Sequence, residues 1–356
     1  MISWGYKRQA KLKRRSRGEH SSPESPQVRP KRLHVLFLSV VLLFMTSCSS
    51  KNQPEEFEFY HLEQSDGYGF IYNGDAVHVD VPTEHKGKPV VAVMLFAFSG
   101  EFLESVFIPD SITEIIGSRS HTLPTPYITV CENNANFTAI DGILFSKDMT
   151  ALLAYPENKR GDYIIPDSVE EIYAFFNHQY LTGVYIPAGI KPVFGYYEET
   201  GEELIIYRNL FMNCTALINI EVSEDNPYYT AIDGVLFSKD GKILVSYPAG
   251  RQDAEYIIPD GTEAIERSAF SRVAALETVR VPRSMTRVES NFFDCPLLTR
   301  IYVDMNEEDA MNDIQQVHNL WNRSNQPQMI YNDTDLDLNP ESQTELPDIM
   351  TDSPFY

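Results

Sequence analysis

The sequence predicts a β-rich solenoid, a fold in which short structural repeats stack on one another. Two repetitions within its 356 residues indicate this fold. A unit of 22 residues recurs near the end of the chain, and a longer segment occurs twice at an offset of 92 residues. A single short unit cannot bury its apolar side chains alone, so neighbouring units must share one continuous core. The hydrophobic content of 43% is sufficient for such a core.

The short unit begins with a Phe, in most copies preceded by Ala, and continues with aliphatic residues at fixed distances. Leu follows the Phe by six positions, Val or Ile by nine, Ile or Val by eleven, and Pro commonly by twelve. Copies begin at Phe98 (one residue short), Phe175, Phe211, Phe270 and Phe292. This period and these Leu-x-x-Ile-x-Ile strands are typical of leucine-rich repeats. The predicted fold is therefore a β-rich leucine-rich-repeat solenoid, α+β by content, built from short strands with β-hairpin inserts.

The spacing of the aliphatic residues predicts how each unit packs. Spacings of three and two indicate a turn that enters a short strand, whose alternate side chains point inward. We expect the Phe of each unit to fill the space between layers, and the Pro to end the strand's hydrogen-bond ladder. Cys214 and Cys295 each follow the Phe by three positions. They are interpreted as small buried apolar residues.

The longer repetition predicts hairpins that are added to the basic units. Thirteen of the 19 residues from 138 to 156 are identical in 230 to 248. We expect hairpins at 138–156 and 230–248, and a third at 194–207, where the repeat pattern is interrupted. Asp240-Gly241 is a strong turn signal because Gly readily adopts positive φ. Met149 replaces this Gly in the first copy, so its turn is expected to be of another type or strained.

Three motifs together resemble the BspA-type leucine-rich repeats of bacterial surface proteins. They are Phe-x-x-Cys-x-x-Leu, Ile-Pro-Asp-Ser-Val, and Ile-Asp-Gly-Val-Leu-Phe-Ser-Lys-Asp-Gly, and the resemblance covers roughly residues 70 to 303. It implies display at the cell surface and protein binding, in some members adhesion to host matrix. It implies no catalytic residues.

The N-terminal residues resemble the signal peptide of a bacterial lipoprotein. A basic segment precedes 13 mostly apolar residues, Leu33 to Met45, which as a helix would rise only ~20 Å and are too short to cross a membrane. Small residues then precede Cys48, the predicted site of lipidation. We therefore assign 1–47 to the signal peptide, with a long basic n-region, and 48–56 to a tether. An uncleaved anchor and a soluble product are the alternatives.

The remaining segments are assigned by their patterning. We expect a small antiparallel β cap at 57–96, the solenoid at 97–303, a capping helix and strand at 304–331, and an acidic disordered tail at 332–356.

The charge distribution excludes one class of partner. Residues 1–47 hold ten of the 29 Lys and Arg and two of the 51 Asp and Glu, so the chain from Cys48 has 19 basic and 49 acidic residues, net −30. Such a field repels phosphate backbones, so we expect no nucleic-acid binding by this part of the chain. No catalytic, nucleotide-binding or metal-binding motif occurs, so we expect no cofactor, no metal and no enzymatic activity.

The predicted function is that of a lipid-anchored, non-catalytic binding or adhesion module at the bacterial cell surface, with a protein or glycan as partner. Its contact residues would be the strand positions between the buried ones, Phe107, Tyr185, Glu221, Arg280 and Tyr302. The three aromatic residues could instead stack as a ladder across neighbouring strands. Two other functions stay open, namely surface nutrient capture or an enzyme with a site assembled across repeats, and a structural envelope protein.

Overall fold

A computed structural model describes residues 56–98, 103–116, 126–173, 175, 178–196, 203–288, 292, 294–314 and 327–332. All of them belong to one compact unit, Ser50–Tyr356. The predicted signal peptide, Cys48, the tether up to residue 55 and the acidic tail after Asn332 lie outside the described residues.

The described residues form 26 short strands and a single helix. The first strands are β1 Phe57–Leu62, β2 Gly67–Tyr72, β3 His78–Asp80, β4 Glu84–His85, β5 Lys88–Phe98, β6 Ser105–Ile108, β7 Glu114–Ile116 and β8 Tyr127–Val130. The next are β9 Phe137–Ile140, β10 Ile143–Ser146, β11 Ala151–Ala154, β12 Gly161–Ile164, β13 Glu171–Ile172, β14 Leu181–Ile186, β15 Val193–Tyr196, β16 Glu203–Ile206 and β17 Asn219–Val222. The last are β18 Tyr229–Ile232, β19 Val235–Ser238, β20 Ile243–Ser246, β21 Glu255–Ile257, β22 Ala264–Ile265, β23 Thr278–Val281, β24 Arg287–Val288, β25 Arg300–Val303 and β26 Gln328–Tyr331, with helix α1 Glu307–Asp313 between β25 and β26.

Strands of successive repeats pair in parallel and form three ladders. We call β3-β6-β8 ladder I, β12-β14-β17 ladder II and β21-β23-β25-β26 ladder III. A second set of parallel pairs, β20 with β22 and β22 with β24, joins the same repeats at other positions. The chain therefore has the strand-rich repeat fold that the short sequence unit predicts.

The core consists of the aliphatic residues of the repeat and a file of aromatic rings. Val279 and Val281 in β23 are at most 1% exposed, as are Ile301 and Val303 in β25. The ring centroids of Phe270 and Phe292 lie 4.9 Å apart, which places one Phe directly upon the next between layers.

The two cysteines of the repeat are buried, as their spacing predicts, and each also contacts a neighbouring repeat. Cys214 Sγ donates to the carbonyl oxygen of Phe175 at 2.6 Å, and Cys295 Sγ donates to that of Phe270 at 2.9 Å. Both side chains are fully buried.

The duplicated segment forms a three-stranded antiparallel meander in each copy, β9-β10-β11 and β18-β19-β20. The sequence predicts one turn in this segment, near residue 240. The structure has two turns in each meander, and the predicted turn is the second. Asp233 and Gly234, with φ of 49° and 79°, form the first, and Asp141 and Gly142 are equivalent at 51° and 80°. Positive φ at both central residues of a two-residue loop is the geometry that Asp-Gly favours.

The second turn is the same in both copies. Gly241 has φ of 75° and Met149 has φ of 63°, so Met149 holds the left-handed conformation that costs a residue with a Cβ about 1–2 kcal/mol. Of the two expectations for Met149, the strained turn is the correct one.

The N-terminal strands differ from the expected antiparallel sheet. The pairs β1-β2 and β4-β5 are antiparallel, but β2 pairs with β5 in parallel and β3 pairs with β6 in parallel. Val79 and Val81 are buried like Val106 and Ile108 of the next unit, so β3 already occupies the strand position of a repeat and ladder I begins upstream of residue 97.

Helix α1 begins at an Asn cap, whose side chain accepts from the backbone N–H of Asp309 at 2.8 Å. Three acidic residues occupy the first turn, where the helix dipole favours negative charge. Ala310 and Ile314 pack into the core beside the last repeats. The helix ends at Asp313, the backbone at Ile314 is extended, and residues 315–326 of the predicted capping segment lie outside the described residues.

Candidate binding surface

Each ladder carries one row of outward-facing side chains in register. Consecutive residues of a strand point to opposite faces, so the positions between the buried ones share the outer face. The rows are Asp80, Phe107 and Thr129 in ladder I; Ile164, Tyr185 and Glu221 in ladder II; and Ile257, Arg280, Tyr302 and Ile330 in ladder III. Paired strands lie ~4.8 Å apart, which is the spacing of the side chains along a row.

The five predicted contact residues all occupy these rows, and the ladders bring four of them together in two pairs. Tyr185 and Glu221 are partners across β14 and β17, and Arg280 and Tyr302 are partners across β23 and β25. Phe107 lies apart from them in ladder I. Glu221 is exposed and the other four are half-buried.

The three aromatic residues lie on three different ladders. Phe107, Tyr185 and Tyr302 therefore do not stack as a ladder across neighbouring strands, the alternative to a role in binding.

In ladder III an arginine pairs with a carboxylate of the neighbouring strand. Arg280 Nε donates to Glu255 Oε1 at 2.6 Å, and the Arg280 guanidinium carbon lies 4.6 Å from the centroid of the Tyr302 ring. This geometry combines an ion pair with a cation–π contact. A ligand that binds ladder III would therefore contact an arginine that already makes an ion pair and a cation–π contact.

In ladder II the acidic groups accept hydrogen bonds from neutral donors. Asn219 Nδ2 donates to Glu221 Oε1 at 3.1 Å, and Thr182 Oγ1 donates to Asp162 Oδ1 at 2.6 Å. Asp162 and Glu221 are both exposed, and both lie on the same face as Tyr185. The two outer rows thus differ in charge although their backbones are equivalent.

Two isoleucines on this face were not identified from the sequence. Ile164 is 73% exposed and Ile257 is 58% exposed, and they start the rows of ladders II and III. Each belongs to a Tyr-Ile-Ile-Pro segment. In these segments the Tyr and the second Ile pack inward, so the first Ile must face outward. Because all three residues are apolar, the sequence pattern does not show which of them faces outward. The position of the Pro that ends the strand is the signal that could have indicated it.

The tips of the two meanders separate the ladders. Ile128 N of β8 donates to the carbonyl oxygen of Gly142 at 3.1 Å, and Ile220 N of β17 donates to that of Gly234 at 3.0 Å. A basic side chain also contacts each tip. Lys159 Nζ pairs with Asp141, and Arg251 donates to the carbonyl oxygen of Asp233. Each tip therefore docks beside the last strand of a ladder and divides the outer face into segments.

The tips also explain why Gly stands at two of these positions. A Cβ on Gly142 would lie 2.3 Å from the Tyr127 ring, and one on Gly234 would lie 2.5 Å from Asn219 Oδ1. At both junctions a side chain of the ladder therefore packs directly against the backbone of the meander tip.

The titratable groups with strongly raised pKa values lie inside the fold. Burial raises the pKa of Tyr163 to about 12, and burial also raises the pKa values of Tyr155 and Tyr247. These rings pack with Phe175 or Phe270 between layers and away from the outer rows. The shifts therefore report burial of the phenols in the core.

Two further features of the described part of the chain bear on function. It contains no group of three or more His, Cys, Asp and Glu side chains that could hold a metal ion. It also contains no helix of sufficient length and apolarity to span a bilayer. The outer face offers a series of aliphatic, aromatic and charged side chains, suited to noncovalent contact.

One family of known proteins matches part of the chain. Residues 252–317 match the family described as BspA type leucine rich repeat region. No curated protein matches the sequence significantly.

Several solved structures are similar to this one. A leucine rich cell surface protein from Faecalibacterium prausnitzii A2-165 is 22% identical, with 70% of this chain and 75% of that chain covered and a TM-score of 0.38. A leucine-rich repeat protein from Bacteroides ovatus ATCC 8483 is 16% identical, with 79% of each chain covered and a TM-score of 0.35. The pneumococcal vaccine antigen PcpA is 14% identical, with 70% and 80% covered and a TM-score of 0.36.

Proposed function

We propose that this chain, which carries a BspA-type leucine-rich-repeat region, is a non-catalytic binding or adhesion module that is displayed on the bacterial cell surface. Its ligand would be a protein or a glycan. The contact surface would be the outer face of the ladders, and the repeats would stack as a solenoid that is capped by the N-terminal strands and by α1 with β26.

One observation carries the proposal. Exposed apolar and aromatic side chains stand in register on the outer face, where folding alone does not require them. Ile164 is 73% exposed and Ile257 is 58% exposed, and each is adjacent in its row to Tyr185 or Arg280. Aromatic residues and Arg are enriched at the centres of protein interfaces. A solvated strand position without a partner more often carries a polar residue.

The anchor belongs to the same proposal. A lipid attached to Cys48 would hold the chain at a membrane, with residues 49–56 as the tether. Such an anchor would keep the outer face outside the cytoplasm, where its ligand would be encountered.

The binding function is tested by screening the full-length chain, purified in detergent, against arrays of extracellular matrix proteins and glycans. Tyr185→Ser is assayed beside Asp260→Asn, a change of an exposed turn residue. The proposal expects at least one ligand whose binding weakens in Tyr185→Ser or in the equivalent Tyr302→Ser and persists in Asp260→Asn. If no ligand in the arrays binds, or if both tyrosine variants bind like wild type, the face has no such role.

The anchor is tested separately by metabolic labelling with an alkyne analogue of palmitate. Labelling of wild type and loss of labelling in Cys48→Ala are expected. Equal labelling of the two chains would exclude lipidation at this residue.

A further inference from the structure

We propose that ladder II is the part of the outer face that receives a cationic polypeptide segment, one that offers both an apolar side chain and Lys or Arg. The site, which we call the ladder II patch, consists of Asp162, Ile164, Tyr185 and Glu221. This inference rests on the proposed binding function and assigns a partner chemistry to one of its surfaces.

The apolar half of the patch is Ile164 beside Tyr185. These residues are partners across β12 and β14, so their side chains lie ~4.8 Å apart along the row. Ile164 is the most exposed of the large hydrophobic residues described in the chain, at 73%. Covering such a side chain removes apolar surface from water and favours association. Tyr185 adds an amphipathic ring to the same surface.

The acidic half of the patch is formed by two carboxylates that flank these residues. Glu221 follows Tyr185 in the row, and Asp162 precedes Ile164 by two positions in β12. The hydrogen bonds described for them come from neutral groups, Asn219 Nδ2 and Thr182 Oγ1. Neutral donors hold the carboxylates in place but leave their charge uncompensated. A cation that approaches this face therefore meets two fixed negative charges beside an apolar surface.

The described basic residues that are close in sequence to β12 and β14 contact other groups. Lys159 pairs with Asp141 at the meander tip, Lys191 pairs with Glu170, and the guanidinium carbon of Arg160 lies 4.0 Å from the centroid of the Tyr180 ring. In ladder III the corresponding acidic group, Glu255, is neutralised by Arg280 at 2.6 Å. Ladder II thus differs from ladder III: its outer face combines an exposed apolar residue with two carboxylates for which no cationic partner is found among the described residues.

The backbone beneath the patch holds one of the carboxylates in position. A Cβ on Gly183 would lie 2.8 Å from Asp162 Oδ1, so the carboxylate rests directly over the backbone at that residue. Any larger residue at 183 would displace it. Asp162 is therefore a positioned acceptor on a strand, and strands hold side chains more rigidly than loops do.

The charge of the rest of the chain favours the same partner. From Cys48 onward the sequence carries 19 basic and 49 acidic residues, a net charge of −30. This field attracts cationic segments and repels acidic ones over about one Debye length, ~8 Å at physiological salt. The ladder II patch adds the local apolar contact that a general field cannot provide.

The test uses synthetic peptides and the full-length chain in detergent. The probe is a fluorescent 12-residue peptide of alternating Lys and Leu. A peptide with Glu in place of Lys and a peptide with Ser in place of Leu serve as ligand controls. Anisotropy titrations measure Kd for wild type, Ile164→Ser and Glu221→Gln. The control variants are Ile140→Ser and Glu277→Gln, which make the same changes at an exposed isoleucine and an exposed glutamate outside the three outer rows.

We expect the Lys-Leu peptide to bind wild type and the Glu-Leu and Lys-Ser peptides to bind at least tenfold more weakly. Ile164→Ser should raise Kd about tenfold and Glu221→Gln about threefold, the second effect fading as salt rises. The control variants Ile140→Ser and Glu277→Gln should change Kd less than about twofold.

Equal losses in the ladder II variants and the control variants, or equal binding of the Lys-Leu and Lys-Ser peptides, would show a nonspecific attraction to the acidic chain and overturn the assignment. The array screen separates this result from a failure of the proposed function. An array ligand that depends on Tyr302 but not on the ladder II patch leaves the binding function intact and refutes only this inference. An array ligand weakened by Ile164→Ser supports it.

Discussion

Asn134 and Asn226 occupy equivalent places in the two copies of the duplicated segment, 92 positions apart, and make the same four hydrogen bonds. Asn226 Nδ2 donates to the carbonyl oxygens of Pro187 and Ile190 at 2.8 and 3.2 Å. Its Oδ1 accepts from the backbone N–H groups of Tyr228 and Tyr229 at 2.9 and 2.8 Å.

Asn134 Nδ2 likewise donates to the carbonyl oxygens of Pro109 and Ile112 at 2.8 and 2.9 Å. Its Oδ1 accepts from the backbone N–H groups of Asn136 and Phe137 at 2.9 and 2.8 Å. Both amides are at most 1% exposed. Each therefore joins the turn after one repeat strand to the start of the next meander.

Replacement of this amide should destabilise the fold strongly. Asn226→Ala leaves two carbonyls and two N–H groups without this partner in a buried site, and we expect a loss of about 2–4 kcal/mol in the free energy of unfolding. Urea unfolding followed by circular dichroism measures it. Asn158→Ala, at an exposed turn, is the control and should change stability by less than about 0.5 kcal/mol. A loss of the same small size in Asn226→Ala would mean that the amide does not join the two elements.

The second turn of each meander offers a test of backbone strain. Because Gly241 has positive φ and enough open space for an added methyl group, Gly241→Ala should cost about 1 kcal/mol through the backbone alone. At 149 the comparison is between Met149→Ala and Met149→Gly, which delete the same packing. The Gly variant should be the more stable by about 1 kcal/mol, the reverse of the usual order in a strand or helix. The opposite order would place residue 149 outside the left-handed region.

Acid should weaken the second meander through Asp240. Ser238 Oγ donates to Asp240 Oδ1 at 2.6 Å and Lys242 N donates to the same oxygen at 3.1 Å, and these bonds hold the pKa of Asp240 below its ordinary value of 3.8. A pKa that is lower in the folded state contributes stability above the unfolded pKa, and this contribution is lost as the pH falls through the folded pKa. The stability difference between wild type and Asp240→Asn should therefore be larger at pH 7 than at pH 3. A difference that is constant across this range would show that the carboxylate charge contributes nothing.

The thiols should differ in reactivity according to their burial. Burial raises the pKa of Cys214 to about 12 and that of Cys295 to about 11, whereas Cys131 is half-exposed. Since the thiolate is the nucleophile, iodoacetamide at pH 8 should label Cys131 in the folded chain and label Cys214 and Cys295 only after unfolding in guanidinium. Peptide mass spectrometry resolves the three sites. Rapid labelling of Cys214 in the folded chain would contradict its place in the core.

The sequence predicts the strand positions well because the repeat imposes them many times. A period of two within each strand and 22 residues between the last units places Val279, Val281, Ile301 and Val303 in the core, where the structure has them. The same alternation places Tyr185 and Tyr302 on the outer face. These features depend on local periodicity alone.

What the sequence does not predict depends on contacts between distant segments. The break in the outer face arises because the Asp141-Gly142 tip docks against β8 through Ile128, a tertiary hydrogen bond that no local pattern encodes. The division of charge between ladders II and III depends on which acidic residue meets Arg280 across two strands. For the turn at Met149 the sequence leaves two alternatives, another turn type or a strained turn, and the meander geometry that both copies share selects the strained turn.

The central claim is that the outer face of the ladders binds a ligand, and the most direct measurement is a comparison of wild type with the Tyr185→Ser/Tyr302→Ser double variant on the ligand arrays. Thermal unfolding must first show that both chains fold alike, as expected for changes at half-exposed residues. The account predicts that the double variant loses at least about 2 kcal/mol of binding free energy, roughly thirtyfold in Kd, toward a ligand that wild type retains. Unchanged affinity in the folded double variant would contradict it.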